Sequence, residues 1–127
     1  MNNKYALVTG ASSGIGLEIA KNLASKGHNL ILVARRKDRL IALAKNIAEK
    51  FNIKVDYISC DLSHIDAPKE IFNFCLNRDY KIELLINNAG YGIKTPFHET
   101  PMDKEEDFIR VLGTSVIALT KIFLPSM

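Results

Sequence analysis

Gly10, Gly14 and Gly16 fall in the stretch Tyr5-Ala6-Leu7-Val8-Thr9-Gly10-Ala11-Ser12-Ser13-Gly14-Ile15-Gly16, between a short apolar run and a helix-periodic segment. Strand, glycine turn and helix, in that order, present backbone N–H groups and a helix N-terminus to a phosphate. Glycine supplies φ > 0 and leaves no Cβ in the ligand's way. The helix dipole favours an anion at that end. The spacing is G-x-x-x-G-x-G, not the G-x-G-x-x-G of the usual dinucleotide fingerprint. No Gly-Lys-Ser/Thr follows, which excludes a Walker A loop. Taken alone, these glycines are also compatible with a plain tight turn.

Three later positions can do related chemistry. Val33-Ala34-Arg35-Arg36 closes a second apolar run without an acid. An NAD site places Asp or Glu there for the ribose 2′-hydroxyl. Arginine instead suits a 2′-phosphate, held by a bidentate, charge-assisted contact. Arg35 and Arg36 therefore favour NADP(H) over NAD(H). The alternative is that Arg35, Arg36 and Arg39 form a solvated helix start, with Asp38 as an N-terminal helix residue. Asp61 can accept a hydrogen bond from an adenine amino group with Leu62 against the ring, or it can be a turn or capping Asp. Asn87-Asn88-Ala89-Gly90 can bridge strand backbones through its amides and leave bare backbone beside a cofactor, or it is simply a turn. His28, His64 and His98 lie far apart and read as surface residues. Tyr91 and Phe97 suit either a substrate mouth or packing.

The elements that must position these residues follow from periodicity. Lys4 to Thr9 is nearly all apolar, as in a strand covered on both faces. A helix from Ile15 to Ser25 places Ile15, Ile19 and Leu23 on one face with Ala20 and Ala24 beside them, and Gly27 stops it. Asn29 to Ala34 is a strand, Lys37 to Lys50 a helix, and Ile53 to Ser59 an alternating strand. After the loop Cys60 to Ser63 come a helix from Ala67 to Asn77 and a strand from Ile82 to Asn87. A loop from Asn88 to Pro101 leads to a long helix that starts near Met102 or Asp103 and reaches at least Phe123. Alternating strands and helices predict an α/β fold, a Rossmann-type doubly wound parallel sheet of order 3-2-1-4. Gly10, Arg35, Asp61 and Asn88 then all fall at carboxyl ends of strands, where such a sheet binds its ligand.

The 127 residues carry 17 Lys and Arg against 14 Asp and Glu, a net charge of +3. That is too mild to argue for nucleic acid or a membrane surface, and no apolar run approaches the roughly 18 residues of a span. The start lacks a charged-then-apolar signal pattern. Cys60 and Cys75 have no metal or C-x-x-C spacing and read as buried thiols of a reducing compartment. The expected setting is cytoplasmic.

Thr9-Gly10-Ala11-Ser12-Ser13-Gly14-Ile15-Gly16, Ala34-Arg35-Arg36, Asp61-Leu62 and Asn87-Asn88-Ala89-Gly90, in this order and at these separations, resemble the short-chain dehydrogenase/reductase family. The resemblance runs from about Lys4 to the last residue. It implies that Gly10, Ser12, Ser13, Gly14, Ile15 and Gly16 wrap the cofactor's phosphates and that Arg35 and Arg36 face the 2′-phosphate of NADP (NADPH). It further implies that Asp61 and Leu62 hold adenine, that Asn88, Ala89 and Gly90 pass beside the adenine-side ribose, and that Asn87 stabilises the central sheet. Members transfer hydride between nicotinamide and a small-molecule carbonyl or alcohol substrate.

Two departures from the family are visible. Members use a Tyr-x-x-x-Lys pair and an upstream Ser, the Tyr as general acid/base. Tyr5, Tyr57, Tyr80 and Tyr91 are followed at the fourth position by Thr9, Asp61, Leu84 and Thr95, so that pair is missing from this stretch. No catalytic residue is assigned. Many members also carry Asn in the last helix, where alignment on Leu119-Thr120 places Leu112. The expectation is the N-terminal, cofactor-binding part of one Rossmann domain over residues 1–127, inactive by itself. The alternatives are a naturally truncated nucleotide-binding or interaction module and a remnant without selected activity. An unpaired strand Ile82–Asn87 and an uncovered stripe near Phe108, Leu112, Leu119 and Phe123 lead to an expected homo-oligomer.

Overall fold

In the computed structural model, which describes residues 2–127, the run Lys4–Thr9 forms β1 inside a four-stranded parallel sheet. β2 (Asn29–Ala34) pairs with it from Tyr5↔Asn29 to Thr9↔Val33. β3 (Val55–Ser59) lies beyond β2, and β4 (Lys81–Ile86) pairs with the other side of β1. The order is β3-β2-β1-β4, the expected doubly wound arrangement. Between the strands run α1 (Gly14–Ser25), α2 (Lys37–Phe51) and α3 (Ala67–Asn77). After β4 come a 3-10 turn (Phe97–Glu99), α4 (Met102–Ile109), a π turn (Arg110–Thr114) and α5 (Ser115–Phe123).

Strand alternation divides the core between two faces. Tyr5, Leu7, Ile31 and Val33 join Ile71 and Cys75 of α3 and Leu119 and Phe123 of α5. Ala6, Val8, Leu30 and Leu32 join Ala20 and Ala24 of α1 and Leu40, Ala44 and Ile47 of α2. β1 and β2 are thus covered on both sides, which is why they read as continuous apolar runs. At the carboxyl ends, the buried Thr9 hydroxyl accepts the N–H groups of Asn88 and Ala89, both at 3.0 Å. It donates to the Ile86 carbonyl at 3.4 Å.

Several expectations are corrected. β3 starts at Val55, not Ile53: Asn52 ends α2 in the left-handed region (φ 53°), and the Ile53 N–H bonds back to the Ala48 carbonyl. β4 spans Lys81–Ile86 because Lys81 already pairs with Lys4, while Asn87 has turned toward the last helix. The inward face of α1 is Gly16, Ala20 and Ala24, whereas Ile15 is 74% exposed. Small residues let the helix lie close to the sheet. The last helix is broken by the π turn. Its buried face is Val111, Ser115, Leu119 and Phe123, with the Phe123 ring edge-on to Phe72 of α3 at 5.3 Å. The exposed apolar residues there are Ile109, Leu112, Ile117 and Leu124, so only Leu112 of the expected stripe is uncovered. The helical run Met102–Ser126 is also long and apolar enough to cross a membrane by length and composition. Arg110 and Lys121 interrupt its apolar stretch, and Val111, Ser115, Leu119 and Phe123 on its inner face are buried within the fold.

Both cysteines are free and buried. Burial, with the charge of Glu70, pushes the Cys60 thiol up to about 11. Burial, with the charge of Asp56, pushes Cys75 up to about 12. A thiol raised by folding leaves its linked stability fully present below its ordinary value near 9 and loses it as pH rises toward these values. The urea midpoint is therefore expected to be level from neutral pH to about 9 and to fall toward 12, and a Cys60→Ala/Cys75→Ala variant should lose part of that fall. A double variant with an unchanged alkaline slope would contradict the burial account. A second expectation concerns Thr9. Thr9→Val keeps the shape but leaves two N–H groups without their acceptor, which should cost about 1–3 kcal/mol in urea unfolding, with Thr9→Ser close to the parent.

Candidate functional site

The sheet order reverses across β1, and a cleft of about 620 Å³ lies at the carboxyl ends of the strands on either side of that point. The β1–α1 loop contributes Gly10, Ser12, Ser13, Gly14 and Ile15 to its lining. Arg35 enters from the end of β2, Asp61, Leu62 and Ser63 from the end of β3, and Asn88, Ala89 and Gly90 from the end of β4. Two of the expected residues are outside the lining. Gly16 is buried beneath the loop, and Arg36 is the exposed residue preceding α2.

The glycines have different reasons to be there. Gly10 (φ +65°) has positive φ and a close neighbour: a Cβ would stand 2.9 Å from Ala89 Cα and from Asn88 Nδ2. At Gly16 a Cβ would run into the Gly10 carbonyl and the Asn88 amide, so this glycine seats α1 against the loop. Ser13 precedes α1 in extended backbone and makes no side-chain cap bond. The first N–H groups of α1 and the Ser13 hydroxyl therefore remain for a ligand. Asn88 Nδ2 donates to the carbonyls of Thr9 (3.2 Å) and Gly10 (3.3 Å), fixing the loop from the β4 side. The bridging amide is that of Asn88. Asn87, expected to stabilise the central sheet, instead donates to Thr120 Oγ1 at 3.3 Å and ties the strand end to α5.

Charge in the cleft is organised by the strand ends. The Ser59 hydroxyl donates to the Arg35 carbonyl at 2.8 Å, holding the ends of β2 and β3 together. Asp61 accepts the Ser63 N–H at 2.9 Å, an Asx turn. Burial alone would raise its carboxyl, but the Ser63 groups, His64 and Arg35 hold it below the ordinary value. Asp61 is thus both a turn residue and an ionised part of the lining.

Sequence reasoning missed Lys104, Asp107 and Val111. Their i, i+3, i+7 spacing, which puts them on one helix face, is the signal that could reveal them. Tyr91 does line the cleft, and its ring lies edge-on to Phe108 at 5.5 Å. Burial and the charge of Asp107 raise its hydroxyl above the ordinary value. Phe97 is outside the lining and exposed. The histidines are elsewhere than the cleft: His28 meets Glu83 at 3.2 Å and His98 meets Glu99 at 3.8 Å.

A cradle that requires glycine, free N–H groups at a helix start, one cleft arginine and apolar lining from Leu62 and Val111 fits a dinucleotide. Known proteins agree. The family model described as short chain dehydrogenase matches residues 4–127. The very-long-chain 3-oxoacyl-CoA reductase of Candida glabrata is 39% identical over 125 residues, covering 95% of this chain and 35% of that protein. A short-chain dehydrogenase from Sphingobium yanoikuyae in complex with NADPH superposes with a TM-score of 0.88 at 34% identity, covering 96% of this chain and 48% of that one. An alcohol dehydrogenase from Thermococcus sibiricus complexed with 5-hydroxy-NADP gives 0.88 at 33% identity, covering 97% and 52%. The chain spans about a third of the length of that curated relative and about half of those structures. Motifs, strand order, cleft and kinship converge, and the chain belongs to the short-chain dehydrogenase family.

Proposed function

We propose that this chain is the NADP(H)-binding part of a single-domain oxidoreductase that passes hydride between nicotinamide and a small-molecule carbonyl or alcohol. The observation that carries the proposal is Arg35, which lines the cleft at the end of β2 where no carboxylate stands. A guanidinium there favours a 2′-phosphate, and an acid would be needed to favour a bare ribose. The relatives support the direction: the structures named above hold NADPH and 5-hydroxy-NADP.

In this reading the N–H groups at the start of α1, with Ser12 and Ser13, hold the pyrophosphate. Arg35 pairs with the 2′-phosphate, and Arg36 adds long-range attraction from outside the lining. Asp61 orients the adenine amino group, and Leu62 and Val111 exclude water from the ring. Asn88, Ala89 and Gly90 carry bare backbone past the ribose. When bound, the cofactor supplies or takes the hydride. Proton transfer to the substrate belongs to a Tyr-x-x-x-Lys pair, which is missing from these 127 residues.

The substrate class is a ketone or alcohol carbon, the chemistry in the relatives' names. The same proposal holds the setting to be reducing and cytoplasmic, with Cys60 and Cys75 as free thiols, and assigns no role toward nucleic acid or membrane. Self-association through the exposed Ile109, Ile117 and Leu124 belongs to it as well.

NADPH should quench or shift on addition of the chain and bind at least about tenfold tighter than NADH, and Arg35→Ala should weaken NADPH by about 1.5–3 kcal/mol while leaving NADH nearly unchanged. Equal loss for both cofactors would remove the 2′-phosphate assignment. The purified chain, clear of host enzymes, should show no NADPH-dependent reduction of ketones or 3-oxoacyl thioesters. Turnover above the protein-free rate would show that the acid/base pair is dispensable.

A further inference from the structure

The segment after β4 is fastened unevenly. Asn87 is tied to Thr120, and Asn88 and Ala89 are tied to Thr9. From Gly90 to Lys94, among the described residues, no backbone group takes part in a hydrogen bond. Yet Gly90 and Tyr91 line the cleft. A segment without such bonds depends on side-chain contacts to hold its place, and any order lost there would have to be restored when a ligand binds.

Two apolar contacts from the last helix meet this segment. The Phe108 ring stands edge-on to Tyr91 at 5.5 Å. Leu112 lies in the π turn and reaches Gly90 so closely that a Cβ there would be 2.7 Å from Leu112 Cδ2. Gly90 has no side chain, so a methyl group sits directly on the backbone. Leu112 is 43% exposed, and the helix is anchored elsewhere, by Val111, Ser115, Leu119 and Phe123. Its contact with Gly90 is therefore separable from the core. π turns interrupt the regular register of a helix, and they recur at functional sites.

We propose that Leu112, at the position where many family members carry Asn, is a positioning residue: with Phe108 it clamps Gly90 and Tyr91 and sets the β4 side of the cleft before the nucleotide arrives. The ligand half of this statement rests on the nucleotide reading above. Only van der Waals contact is involved, so shape matters and polarity does not.

Backbone 15N relaxation on the ligand-free chain tests the clamp without any cofactor. In Leu112→Ala, the order parameters of Gly90, Tyr91 and Gly92 should fall from about 0.85 to below about 0.6 while Ala6, Leu7 and Val8 of β1 keep the parent values, and Leu112→Met should restore them. Unchanged order parameters at Gly90 to Gly92 overturn the proposal. A fall that extends through β1 and β2 also overturns it, because Leu112 would then be a fold support. Fluorescence titration with NADPH tests the ligand half: Leu112→Ala should weaken binding about three- to tenfold, with rescue by Leu112→Met. Equal affinity in parent and Leu112→Ala overturns that half. A parent chain that binds no NADPH overturns the nucleotide reading instead, and the relaxation result alone then decides the clamp.

Discussion

The Thr9 hydroxyl is the joint on which the cleft depends. One oxygen accepts two N–H groups from the loop after β4 and donates to the carbonyl at the end of β4. A chain reversal at a switch point leaves diverging strand ends, whose backbone groups would otherwise face a ligand cavity without partners. Thr9 satisfies them from within the sheet. It also brings Asn88 near enough for its amide to hold the β1–α1 loop in turn. Loop shape, helix start and loop edge thereby become one connected unit.

The opposite end of the sheet has a counterpart in Asn29. Its side chain donates to the carbonyls of Asn2 and Lys4 at 3.4 Å and accepts the Lys54 N–H at 3.0 Å. The starts of β1, β2 and β3 are joined through one amide. Between the two joints the strands are held by apolar layers on both faces. The scaffold is consequently stiff, and freedom is concentrated in the segment that follows Ala89. This distribution suits a fold that keeps a binding frame constant and varies its mouth.

Much of this was legible in the sequence. The continuous apolar runs at Lys4–Thr9 and Asn29–Ala34 reveal strands covered twice, and glycine spacing with the arginine after β2 marks the cleft. Each error has its own physical cause. Ile15, Ile19 and Leu23 outweigh Gly16, Ala20 and Ala24 in hydrophobicity, but closeness to the sheet favours the small residues. Asn87 and Asn88 are chemically identical, and only the direction of each side chain decides which one bridges the strands. Lys104 and Asp107 carry no motif of their own, and only the fold brings them to the cleft. The π turn at Arg110–Thr114 has no composition signature of its own.

α1 carries one further implication. Its seat on the sheet is made by Gly16, Ala20 and Ala24, and at Gly16 not even a methyl group fits. The position of its first turn is therefore determined by contact volume. Volume does not respond to ionic strength, whereas the attraction of Arg35 for an anion weakens as the Debye length shortens. Salt acts on how strongly an anion is drawn in and leaves the shape of its seat unaltered.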